Sequence, residues 1–129
     1  MKRNLGKFIL FVGVTLFLLT ACASTQMVDQ TMNGASVELK KGQLMVLKLP
    51  SNPTTGYDWE IVSIDPSMIK QSGEMTYKSD SKLAGSAGVD TWTFEGGSSG
   101  TTRLILVYHR SWEKDVEPLQ VFNLDIVVK

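Results

Sequence analysis

His109 is the only histidine of the chain, and it stands beside Arg110 and Ser111, which together hold the residue types of a nucleophile and its base. A base activates a hydroxyl only when the two side chains lie within hydrogen-bond reach, and neighbours at a strand end or in a tight loop rarely point at each other. No nucleophile motif surrounds Ser111, so His109 reads as an exposed strand-end histidine. Asp58 and Glu60 are two apart, which puts them on one face of a strand and makes a solvated face of them, not an acid/base pair. The stretch EGGSSG, Glu95 to Gly100, lacks the lysine of a phosphate-binding loop and falls between two strand-like runs. It is a hairpin turn. One histidine and one cysteine exclude a histidine-rich or cysteine-based metal site and any intrachain disulfide. No metal and no cofactor is expected, and nothing has the make-up of an enzyme.

Three other stretches carry the chemistry of binding. In Asn52-Pro53-Thr54-Thr55-Gly56-Tyr57, proline fixes one backbone angle and glycine admits a positive φ. The result is a stiffened loop with two threonines at its tip. In LAGSAGVD, Leu83 to Asp90, small residues let another backbone come close. In HRSWEKD, His109 to Asp115, an arginine and a large aromatic follow an apolar strand, and both types are frequent interface anchors.

The elements that hold these stretches are strands. No window of a dozen residues carries a helical stripe, whereas short alternating runs recur between turn residues. Strands are predicted at Ser36–Lys40, Gln43–Leu49, Tyr57–Ile64, Met75–Lys78, Asp90–Glu95, Thr101–His109 and Leu119–Val128. Ser67–Lys70 reads as one helical turn. In the last strand Phe122, Leu124, Ile126 and Val128 share a face. Trp92 pairs with Phe94 in the same way, and Leu104 with Leu106 and Tyr108. About seven short strands at regular spacing predict an all-β, immunoglobulin-like β-sandwich, with Trp59 in its core.

The chain begins with a basic and apolar segment. Lys2, Arg3 and Lys7 precede the apolar run Phe8 to Leu19, and Leu-Thr-Ala-Cys follows at Leu19 to Cys22. The run is short of the roughly 20 residues that span a bilayer and reads as an export signal. The expected layout is a signal over 1–21, a polar lipid tether over 22–34 and the sandwich over 35–129. Leu-Thr-Ala-Cys resembles a bacterial lipobox, which implies lipid on Cys22 and anchoring in the cell envelope, in the outer membrane where one exists. All three charges before Cys22 are basic, so the remainder holds 10 Lys+Arg against 13 Asp+Glu. Without a basic stripe, nucleic acid is not an expected partner.

In order along the chain, the three binding stretches resemble the NPTTG-aromatic, GxGG and R-P-aromatic loops of the chagasin-like inhibitors of papain-family cysteine peptidases. The first is matched by Asn52, Pro53, Thr54, Thr55, Gly56 and Tyr57, the second by Gly85, Ser86, Ala87 and Gly88, and the third by Arg110, Ser111 and Trp112. The resemblance implies a reversible inhibitor whose loops gather into a wedge. Thr54 and Thr55 would block the catalytic Cys–His pair, Gly85 to Gly88 would pair along the non-primed side, and Trp112 would pack on the primed side. Ala87 and Ser111 stand where the family has glycine and proline. A positive φ at Ala87 would cost about 1–2 kcal/mol, and Ser111 forgoes about 0.4–1 kcal/mol of proline's chain restriction, so weaker or differently selective inhibition is expected. The alternative is a lipoprotein module that docks a structural or secretion partner; three loops lying apart would favour it.

Overall fold

The computed structural model describes residues 23–129. Cys22 and the segment before it, on which the export and lipid readings rest, lie outside the described residues. Among the described residues nine strands form two sheets: β1 Gln26–Asp29, β2 Ser36–Leu39, β3 Leu44–Ser51, β4 Asp58–Ser63, β5 Ile69–Gln71, β6 Thr76–Ser79, β7 Gly88–Gly96, β8 Gly100–His109 and β9 Gln120–Val128. One sheet runs β1-β3-β7-β5, with β6 also on β7, and the other runs β2-β9-β8-β4. The architecture is an all-β sandwich, as the alternation predicts.

The two sheets close on the apolar faces legible in the sequence. Met45, Leu47 and Leu49 of β3, Trp92 and Phe94 of β7, Leu104, Leu106 and Tyr108 of β8, and Phe122, Leu124, Ile126 and Val128 of β9 are all buried, and Trp59 joins them. Register fixes these faces, because a slip of one residue would turn each set toward water. Leu104 lies opposite Leu124 and Leu106 opposite Phe122.

Two strands depart from the prediction. The tether assigned to residues 22–34 contains β1, which pairs in parallel with β3, and a 3-10 turn at Gln30–Met32. Val28 is the one buried side chain of β1, so the strand carries almost no apolar pattern of its own. Asp29 caps the turn, accepting a hydrogen bond from the Thr31 amide at 2.8 Å. The predicted helical turn at Ser67–Lys70 is also revised: Pro66–Met68 is a turn, and Ile69 then opens β5, with its side chain fully buried. Three residues are too few to show a period.

Candidate functional site

Strand direction brings the three predicted loops to one pole. Ser51 at the end of β3 lies opposite Gly88 at the start of β7, and Asp58 at the start of β4 lies opposite His109 at the end of β8. The β3–β4, β6–β7 and β8–β9 connections therefore leave from the same end of the sandwich. The arrangement that would favour the docking-module alternative, loops lying apart, is not the one observed.

The first loop is held by its own side chains. Asn52 caps a single 3-10 turn, Pro53–Thr55, with proline at its first position. The Asn52 carboxamide oxygen accepts from the Thr54 hydroxyl at 2.6 Å and the Thr54 amide at 3.3 Å. Thr55 donates its hydroxyl to the Asn52 carbonyl at 2.6 Å. Gly56 closes the turn at φ 80°, with its amide bonded to the Pro53 carbonyl at 3.0 Å. The loop also rests on the core. The Asn52 amide donates to the Tyr108 hydroxyl at 2.9 Å, and the Tyr108 ring packs between Tyr57 and Trp59, with centroids 5.4 and 5.0 Å away.

Side chains from the first and third loops tie the pole together. Asn52 Nδ2 donates to the Gly85 carbonyl of the second loop at 3.3 Å. From the third loop Arg110 Nε donates to the Thr55 carbonyl at 3.1 Å. The guanidinium lies 4.4 Å from the Tyr57 ring centroid, and its Nη1 donates to Glu113 at 3.1 Å. Trp112 covers Gly56 so closely that a Cβ there would lie 2.3 Å from the indole Cη2. The same indole is 64% exposed, so it is placed against the first loop with most of its surface still in water.

The remaining predicted residues divide by role. Thr54, Thr55, Ala87 and Ser111 are exposed and Ser86 is half-buried. Gly88 is buried, and a Cβ on it would meet the Lys78 carbonyl at 2.3 Å. It roots the second loop without lying on its surface. Asp115 is the only described non-glycine residue with a positive φ, so Ala87 bears none of the expected strain. The second loop meets its left-handed demand at Gly85, φ 79°, and the Asp80 amide closes its base on the Ala87 carbonyl at 3.0 Å. In the third loop, the Glu113 amide bonds to the Arg110 carbonyl at 3.0 Å, which places Ser111 at the second position of a turn. Proline is favoured there.

His109 is half-buried, not exposed as predicted, and its Nε2 lies 2.6 Å from Glu60 Oε2. That contact holds β4 to β8. Leu83, at the head of the second stretch, has no assigned role in the sequence reading and is 77% exposed on the loop. An apolar side chain within the polar run SDSKLAGSAG was the signal that could have found it. The space behind Tyr57, His109, Arg110 and Glu113 is about 10 Å³, room for no more than about one water molecule. Those side chains enclose no ligand-sized space.

Comparison with known proteins agrees with this geometry. The family model described as Chagasin family peptidase inhibitor I42 matches residues 38–126. Chagasin of Trypanosoma cruzi is 33% identical over 90 residues, covering 66% of this chain and 81% of chagasin. Amoebiasin-2 of Entamoeba histolytica is 25% identical over 120 residues, covering 92% of this chain and 98% of its own length. The crystal structure of a cysteine protease inhibitor from Entamoeba histolytica superposes with a TM-score of 0.72 at 25% identity, covering 81% of this chain and 95% of that one.

Proposed function

The chain belongs to the chagasin family of peptidase inhibitors, and on that premise we propose that its three loops act as one wedge in the cleft of a papain-like cysteine peptidase. It is an inhibitor of such peptidases and not an enzyme. The observation that carries the wedge reading is the bridging between loops, Asn52 to Gly85 and Arg110 to Thr55. Loops already fixed in the free protein lose little freedom on binding, and affinity gains from that saving more than from area.

Thr54 and Thr55 form the tip that meets the catalytic cysteine and histidine. The backbone there is coiled, with the Asn52 and Pro53 carbonyls taken by the Thr55 and Gly56 amides. An extended peptide is what such a cleft cleaves, so a 3-10 turn occupies the site without presenting a scissile bond. Inhibition is then reversible. Gly85, Ser86 and Ala87 lie along the non-primed side, with Leu83 beside them, and Trp112 packs on the primed side.

Lipid on Cys22 is the second part of the proposal, and its support is the Leu19 to Cys22 motif. It makes the protein an exported, envelope-anchored inhibitor, held in the outer membrane where one exists. The test of the wedge is titration of papain with the soluble domain, residues 23–129, followed as an inhibition constant. A domain that fails against every papain-like peptidase tried overturns it.

A further inference from the structure

The pole opposite the loops is where the chain enters. Gln26 of β1 lies opposite Met45, and β1 runs with β3 toward the loops. Its first residues therefore start at the far end. Ser24 is already docked there, its carbonyl accepting from Gln43 Nε2 at 2.5 Å. Ala23 and Thr25 form one wall of an open hollow of about 420 Å³, and the Lys40 to Leu44 turn forms the other. Lys129 ends at the same pole, its carbonyl accepting from the Lys41 amide at 3.3 Å.

Charges at this pole are not all available. Lys129 is bound to Glu38 at 2.8 Å and Asp65 turns its carboxylate onto Ser67, while Lys70 and Glu95, opposite in register, form no salt bridge among the described residues. Lys40 and Lys41 are exposed, and among the described residues neither forms an ion pair. They flank the point where the chain emerges.

We propose that this pole is the surface that rests on a bilayer, with Lys40 and Lys41 on anionic headgroups and the three loops facing away. The inference rests on the lipid reading of Cys22. Only Ala23 then separates the lipid from docked Ser24, so the domain has no free spacer on which to swing. Strands of 8 to 10 residues at about 3.3 Å per residue set the loops roughly 30 Å from the membrane. Attraction to a charged surface fades within a Debye length of about 8 Å. Lysines beside the attachment point feel it, and the loop pole does not. The peptidase partner accordingly approaches from the aqueous side and is bound without the inhibitor leaving its anchor.

The test uses the full chain, purified with its lipid and reconstituted in vesicles of phosphatidylethanolamine with or without phosphatidylglycerol. Cys22 is the only native cysteine and its thiol is taken up in the thioether to the lipid, so Ser98→Cys at the entry pole and Ser81→Cys at the loop pole each accept one fluorophore. A spin label on the lipid headgroup is expected to quench the Ser98 label several-fold more than the Ser81 label. Equal quenching overturns the orientation while leaving the lipid reading intact. A protein that does not sediment with vesicles overturns the lipid reading and this inference with it. Lys40→Glu with Lys41→Glu is expected to reduce the difference in anionic vesicles and leave it unchanged in neutral ones. An unchanged difference in both overturns the role of the lysines.

Discussion

Arg110 Nε reaches back from the third loop to the Thr55 carbonyl of the first, 3.1 Å away and 55 positions earlier in the chain. One side chain thus joins two of the three loops, with its cation laid over Tyr57. Arg110→Lys keeps the charge and loses the planar donor and the stacking. A hydrogen bond of about 0.5–1.5 kcal/mol and an exposed cation–π contact of about 0.5–1 kcal/mol bound the effect. Inhibition should weaken about tenfold, with a smaller change in thermal midpoint. An inhibition constant equal to the parent's would mean that the bridge does not organise the wedge.

Trp112→Ala should weaken inhibition by about 2 kcal/mol or more, as loss of an aromatic anchor does. The fold should be little affected, since the indole is mostly exposed. Gly56→Val should act on both counts, because a β-branched residue resists positive φ and its Cβ would displace the same indole. Inhibition constants recorded beside melting curves separate the two variants.

Thr54→Ala and Thr55→Ala remove hydroxyls that hold the Asn52 cap. Each should lower stability by no more than about 1 kcal/mol, within the range for loss of a cap. Each should also weaken inhibition by more than its stability change alone explains. Equal potency in both variants would move the tip elsewhere in the loop.

Ser111→Pro should fit its turn position and stabilise the domain by about 0.4–1 kcal/mol through the unfolded chain. The Ser111 amide makes no hydrogen bond among the described residues, so no donor is lost. Inhibition should hold or improve. A lower melting midpoint would show that the turn needs a backbone angle proline cannot take.

Asp90 is buried on the inner face of β7, only 3% exposed. Burial pushes its carboxyl above the ordinary carboxylate range, and the charge of Asp58 adds to that shift. A raised carboxyl keeps its proton in the folded state where the unfolded chain has lost it, so stability falls as pH rises through that window. Asp90→Asn should therefore be more stable than the parent at neutral pH, with the gap closing toward about pH 4. The Asp29 carboxyl, bonded to Thr31, and the Asp125 carboxyl, paired with Arg103, are held low. Their loss of stability falls below that window and leaves it readable. Melting midpoints between pH 4 and 8 check the sign, and a gap that does not vary with pH removes Asp90 as its source.

Much of this protein is written in local pattern. Alternation named the faces of β7, β8 and β9, because side chains two apart share a face whatever the sheet does. The turn of the first loop was equally legible: the bonds that cap and close it lie within the five residues Asn52 to Gly56. Tertiary structure decided what depends on distant partners. β1 has one buried side chain and exists because β3 offers a free edge. Ala87 is spared positive φ because Gly85 and the close crossing at Gly88 set the path of the second loop. Asp90 is buried, and Arg110 meets Thr55, only once the sheets have closed. Short-range bonds are fixed by residue type and spacing, and contacts between loops are fixed by strand order and register, which no single stretch contains.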